Sequence, residues 1–257
     1  MAVDCPGADP IVFDLGTGLR FWGADLPTTT PFHGHALVTH LHWDHVQGLP
    51  FFSPILRPDS TFDIYACSPE SGSLVGAFDE FMGPPYFPVR VADLPGELCF
   101  HEVENTEFAI GDVGVTVRSV PHIGPTNGYR VERDGVAVVY ISDHQQPLDG
   151  SLTVPDDVLE LCQGADLLIH DAQYTTTDFA EKATWGHCTV DYALAVAAQA
   201  GARRLALFHH DPSHDDLMVD SILLEAREKL PRSSHLEIVA AAEGVTLSLG
   251  AVGASSR

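Results

Sequence analysis

Residues 39–45 read Thr39-His40-Leu41-His42-Trp43-Asp44-His45 and place four potential metal ligands within six residues. The run 36–39 before the first histidine is strand-like, and His40 and His42 stand two apart. On an extended chain they face the same way. Asp44 and His45 follow at a turn, where the chain can curl back. Neutral imidazole and carboxylate are the donor set of Zn²⁺, and they also suit Mn²⁺ or Fe²⁺. Four such groups are hard to bury without partners, and a cation partners all of them. His33 and His35, just upstream, read as loop residues near the site rather than as ligands.

Further candidates follow other apolar runs. His122 comes after 113–120, and Asp143 after 136–141. His170 and Asp171 come after 167–169, and His209 and His210 after 205–208. Strand ends are where sheet proteins display their chemistry. The number of donors suffices for two metals.

The elements that must carry these residues are legible as short apolar runs. Strands are predicted at 11–14, 36–39, 62–65, 113–120 and 136–141. Residues 128–132 and 136–141 form a predicted hairpin across Asp134-Gly135, a favoured turn pair. Later strands are 167–170 and 204–208, and a terminal hairpin joins 237–240 to 245–249 across Glu243-Gly244. Helices are predicted at 190–200, capped by Thr189 and ended by Gly201, at 215–230 before Pro231, and at 155–161. The stretch 83–88, Gly-Pro-Pro-Tyr-Phe-Pro, reads as a rigid loop. Its Tyr86 and Phe87 either line a pocket or pack on the core. Strands first, then strands alternating with helices, suit a layered sheet structure with helices outside.

Composition bounds the partners. The 257 residues carry 13 Lys and Arg against 36 Asp and Glu, a net charge of −23. Such a surface argues against a polyanionic partner and against an electrostatic membrane anchor. The 14 histidines outnumber the basic residues, as befits a site that holds cations. The five cysteines, Cys5, Cys67, Cys99, Cys162 and Cys188, are scattered and odd in number. Neither a disulfide framework nor a cysteine-based zinc ribbon is expected. The start, MAVDCPGADP, has no basic or apolar signal region, and no run approaches the ~20 apolar residues of a membrane span. A soluble, cytoplasmic protein is expected.

The motif His40-x-His42-x-Asp44-His45 after a strand, with Asp14 upstream in FDLGTG, resembles the signature of the metallo-β-lactamase superfamily. The stretches VPHIGPTNGYRVE, VVYISD, LLIHDAQYT, WGHCT and LFHHD resemble ribonuclease Z and its bacterial phosphodiesterase relatives. The resemblance spans nearly the whole chain. It implies one domain over residues 1–257, an α/β, αββα four-layer sandwich with two mixed β-sheets between outer helices. It further implies two divalent ions, zinc first, with Mn or Fe as alternatives. His40, His42 and His122 would hold one ion, Asp44, His45 and His209 the other, and Asp143 would bridge them. Asp14 would orient ligand imidazoles, its alternative being a turn residue before Gly16. Alignment to the last family histidine favours His209 over His210. His144 replaces a smaller residue, and either contacts substrate or occupies the loop. His214 has no family role.

The implied reaction is hydrolysis of a small phosphodiester, such as a cyclic nucleotide, by metal-bridged hydroxide. Asp44 would accept the water proton. His187, positioned by Asp171, would protonate the leaving oxygen or bind a phosphoryl oxygen. Processing of tRNA 3′ ends is the alternative, as is cleavage of a lactone or thioester on the same fold. The basic residues are scattered and no basic inserted arm is evident, which favours a small substrate over long nucleic acid. Homodimers are common in this superfamily, so the resemblance allows one here.

Overall fold

The structure is a computed structural model and describes residues 1–250. These fall into two compact units, residues 1–104 and the remainder from 105 onward.

The first unit is built on a five-stranded mixed sheet. Its elements are β1 (Ala2–Val3), β2 (Ile11–Phe13), α1 (Leu19–Asp25), β3 (His33–Val38), α2 (Trp43–Val46), β4 (Thr61–Ala66), α3 (Leu74–Met82) and β5 (Glu97–Glu102). The strands lie in the order β1-β2-β3-β4-β5, antiparallel between β1 and β2 and parallel thereafter. Alternation sets two faces. Val12, Ala36, Val38, Phe62 and Ile64 join one core with Leu19, Phe52, Phe78 and Met82. Ile11, Phe13 and Leu37, on the other face, are buried as well. Burial on both faces of β2 and of the end of β3 explains why 11–13 and 36–38 read as continuous apolar runs.

The second unit holds a seven-stranded mixed sheet, ordered β12-β11-β10-β9-β8-β7-β6. Its elements are β6 (Glu107–Ile110), β7 (Val113–Ser119), β8 (Asn127–Arg133), β9 (Val136–Ile141), α4 (Asp156–Cys162), β10 (Leu167–Asp171), α5 (Thr176–Lys182), α6 (Val190–Ala200), β11 (Arg204–Phe208), α7 (Asp216–Glu228) and β12 (Glu237–Ala240). The strands β6 to β9 form an antiparallel meander, and β9 to β12 are parallel. Helices α4, α6 and α7 bury Val158, Leu161, Val196, Ala197 and Ile222 against Val139, Leu168 and Leu205. Each large side chain buried in this way contributes roughly 1.5–3 kcal/mol.

Local chemistry sets the element ends. Asp134 and Gly135 both have positive φ, 53° and 76°, as the expected tight hairpin requires. Thr189 caps α6 by accepting from the Tyr192 amide, and Gly201 closes it at φ 67°. Asp215 caps α7 in the same way.

Two expectations need correction. His33 and His35 are not loop residues but open β3, where His35 pairs with Asp63 and Ile11. Polar residues on the sheet face interrupted the apolar pattern and hid the first half of that strand. The terminal hairpin does not form either. β12 pairs in parallel with β11, residues 241–250 carry no strand, and Val245 is exposed. The turn at Glu243-Gly244 does form, with Gly244 at φ 77°, but residues 245–248 beyond it are exposed and bury no apolar face that would hold a second strand. Among the described residues no helix is long and apolar enough to cross a membrane.

Candidate metal centre

In the first unit the site grows from the ends of β2 and β3. Asp14 follows β2 with a left-handed backbone, φ 56°, unusual outside glycine. The Thr39 amide donates to its Oδ1 at 2.7 Å, and the Thr39 hydroxyl donates at 2.9 Å. Because that hydroxyl proton goes to Asp14, the Thr39 oxygen is left to accept from His40 Nδ1, 3.0 Å away. This fixes the His40 tautomer with its lone pair on Nε2. His40 Nε2 then lies 2.8 Å from His42 Nδ1, two ring nitrogens facing one point.

His45 sits on α2 and donates from Nδ1 to Asp14 Oδ2 at 2.8 Å, which presents its Nε2 3.1 Å from Asp44 Oδ2. Its ring centroid lies 4.2 Å from that of His40. Glycines let α2 approach the β2 loop. A Cβ at Gly48 would meet the Gly16 carbonyl oxygen at 2.0 Å, and one at Gly16 would meet the Asp44 carbonyl oxygen at 2.6 Å. Burial pushes the Asp14 pKa up, but the His45 charge, its hydrogen bond and the Thr39 amide outweigh burial and lower it. The carboxylate therefore stays ionised and holds His45 in one tautomer.

In the second unit the site gathers around Asp143, two residues beyond β9. Its Oδ2 lies 3.8 Å from His122 Nε2, 3.7 Å from His187 Nδ1 and 3.4 Å from His209 Nε2. Asp143, His187 and His209 offer ligand atoms within 4.8 Å of one another. His122 donates from Nδ1 to the Gly186 carbonyl at 2.7 Å, which turns Nε2 toward Asp143. Gly186 has φ +97°, and a Cβ there would meet His122 Cε1 at 2.5 Å. His209 directly follows β11 and is also left-handed, φ 57°.

The fully buried Asp171 carboxylate accepts from the His144 amide at 2.9 Å, the Gln173 amide at 2.9 Å and His187 Nδ1 at 3.0 Å. His187 is thereby held through its Nδ1.

The neighbouring histidines separate by surroundings. His210 directs its ring to the backbone of Ala241, and burial lowers its pKa. The ring nitrogen of His214 stands 3.3 Å from Asp178. His144 is fully buried, with Nδ1 3.0 Å from His170 Nε2. Burial and the neighbouring His170 and His122 hold its pKa well below the usual value, so it stays neutral. Tyr86 is exposed and Phe87 half-buried, and the Phe87 ring lies 6.1 Å from that of Phe51. The sequence reading missed Thr39 as a link between Asp14 and His40, and Gly186 as the residue that orients His122.

The donor sets fit divalent ions. Each constellation brings imidazole nitrogens and a carboxylate close together, and tautomer-fixing hydrogen bonds stand behind His40, His45 and His122.

Comparison with known proteins agrees with this chemistry. The sequence profile of the Beta-lactamase superfamily domain matches residues 11–210. Ribonuclease Z of Natronomonas pharaonis is 26% identical over 244 residues, covering 78% of this chain and 77% of that protein. Among solved structures, the metallo-beta-lactamase fold protein YhfI from Bacillus subtilis superposes with a TM-score of 0.68 at 18% identity, covering 91% of this chain and 85% of that one. A diphosphatase from the PhnP family gives 0.67 at 17% identity, over 97% and 83%. These structural likenesses are likenesses of fold, and they match the two mixed sheets with packed helices found here.

Proposed function

The chain belongs to the beta-lactamase superfamily, on its ribonuclease Z-like branch, and from that membership we propose that it is a metal-dependent phosphodiesterase acting on a small substrate. The observation that carries the reading is the His187–Asp171 pair beside Asp143, with separations of 3.0 and 3.7 Å from His187 Nδ1. An imidazole held on one nitrogen by a buried carboxylate can donate from the other to a leaving alkoxide. Esters with good leaving groups gain little from such a donor, and phosphodiesters that expel an alkoxide gain much.

In this reading His40, His42 and His122 hold one divalent ion, Asp44, His45 and His209 a second, and Asp143 is shared. Zinc best suits the donors, with manganese or iron as alternatives. When bound, the ions supply a nucleophile at neutral pH and offset charge on the phosphoryl group. The residues do the rest. Asp14 holds the His45 tautomer, the Gly186 carbonyl holds that of His122, and Asp44, 57% exposed, is placed to take a proton from water. His187 binds a phosphoryl oxygen or protonates the leaving group.

The net charge of −23 supports a small phosphodiester, since an acidic surface repels a long phosphate backbone. The half-exposed or buried free cysteines suit a reducing compartment, hence the cytoplasm. A second reading, RNA processing, is favoured by the 26% identity to ribonuclease Z.

Zinc content and turnover should be measured together on bis-p-nitrophenyl phosphate, cyclic nucleotides, dinucleotides and tRNA precursors. Cleavage of the small diesters that a chelator abolishes is expected. Cleavage confined to the tRNA precursor would establish the second reading, and turnover of none would overturn both. Replacing His187 with Ala should cut kcat by roughly 10²–10⁴-fold with metal content intact. Loss of metal instead would make His187 a ligand.

A further inference from the structure

Just beyond Asp143, two consecutive glutamines reach across to the loop that carries His187. Gln145 Oε1 accepts from the Gly186 amide at 2.9 Å, while its Nε2 donates to the Gln146 and Ala183 carbonyls at 2.6 and 2.9 Å. Gln146 Oε1 accepts from both the amide and the hydroxyl of Thr189, at 3.0 and 2.9 Å. Its Nε2 donates to the Gly150 carbonyl at 3.1 Å, and its own amide donates to the His187 carbonyl at 3.3 Å. Gln146 is 2% exposed. The two side chains thus grip the residue before His187 and the residue two beyond it, and the Gln146 backbone grips His187 itself.

We propose that Gln145 and Gln146 are positioning residues that hold His187 in register with Asp143. Both are attached through two peptide units or three to Asp143, so the distance between carboxylate and imidazole is set by short, hydrogen-bonded segments. The Asp171 contact fixes where the His187 ring points, and the glutamines fix where its backbone stands. The amide side chain is the type this place requires, because each must accept at one end and donate at the other without carrying charge into a buried site. The catalytic consequence rests on the reading of His187 as the leaving-group donor. The positioning itself does not.

The test uses the zinc-loaded protein and the variants Gln145→Leu, Gln146→Leu and Gln145→Glu. Leucine keeps bulk and removes both bonding ends, and glutamate keeps the acceptor for the Gly186 amide. Amide hydrogen exchange should quicken at Gly186 in Gln145→Leu and at Thr189 in Gln146→Leu, and Gln145→Glu, which keeps the acceptor but sets a carboxylate oxygen against the Gln146 and Ala183 carbonyls, should restore protection at Gly186 only in part. On a cyclic nucleotide, whose alkoxide needs a proton to leave, kcat should fall on the order of 10²-fold in the leucine variants with KM and zinc content unchanged. On bis-p-nitrophenyl phosphate, whose nitrophenolate leaves unaided, the loss should be at least tenfold smaller.

Unchanged exchange at both amides would overturn the proposal. So would an equal loss on the two esters, the mark of general destabilisation. A wild type inert on both esters would refute the phosphodiesterase reading alone, and the exchange data would still decide whether the glutamines hold the loop.

Discussion

Nδ1 of His45 and Oδ2 of Asp14 lie 2.8 Å apart, both residues are buried, and the aspartate reaches that position through a left-handed backbone. A carboxylate that fixes a ligand tautomer typically contributes ten- to a hundredfold in metal affinity. Asp14→Asn keeps the backbone conformation accessible but turns an amide NH₂ toward donors on Thr39 or His45. Zinc affinity, measured by competition with a chromophoric chelator, should fall by about that factor. Unchanged affinity would remove Asp14 from the site.

Gly186 should not tolerate a side chain. Its φ of +97° and the 2.5 Å approach of a Cβ to His122 Cε1 both oppose alanine. Backbone strain of this kind costs about 1–3 kcal/mol. Gly186→Ala should lower the melting temperature by several degrees, at roughly 2–4 °C per kcal/mol for a chain of this size. It should also displace His122. A variant with wild-type melting and zinc content would show that the loop yields without cost.

The cysteines should divide by burial. Burial pushes the Cys162 thiol up to about 12 and the Cys67 thiol up to about 11, and Cys188 is buried as well. Cys5 and Cys99 are half-exposed. A thiol-alkylating reagent at pH 8, read by mass spectrometry, should modify Cys5 and Cys99 and spare the other three until denaturant is added. Rapid labelling of Cys162 in the native protein would contradict its place in the core.

His35 should leave a mark on acid stability. Burial lowers its pKa below 6.5, against the opposing pull of Asp63 and Asp9, and His101 lowers it further. The unfolded chain therefore takes up this proton first. The stability from neutral His35 is complete above about pH 6.5 and is lost as pH falls through that value toward the folded pKa. His35→Gln should flatten the decline of melting temperature below pH 6.5. An equally steep decline in wild type and variant would show that His35 titrates alike in both states.

The parts legible in the sequence share one physical cause. Strands β9, β10 and β11 are buried on both faces and short, so their apolar runs stood out, and Asp143, Asp171 and His209 followed at their ends. Helices α4, α6 and α7 carried caps or stops in the sequence. What stayed hidden was polar or depended on partners far along the chain. His35, Asp63 and His101 share a face of the first sheet, and no apolar run betrays the first half of β3 or all of β5. Helices α1 and α3 follow glycine or serine without a long periodic pattern. The Thr39 hydroxyl matters only because Asp14, 25 residues away, takes its proton. Strand alternation also could not separate His209 from His210, because β11 ends at Phe208 and the left-handed turn at His209 resets which way each side chain points.

That left-handed turn governs which controls are informative at position 209. Alanine there would remove an imidazole and also oppose the local conformation, at about 1–2 kcal/mol for an ordinary residue. One measured defect would then have two causes. Asparagine tolerates the same backbone and lacks the ring, so His209→Asn isolates the donor atom. A glycine variant brackets the result from the other side, relieving the backbone while deleting the side chain. Any replacement series at this position is therefore a double experiment on ligand and chain geometry, separable only by choosing residues that share its hand.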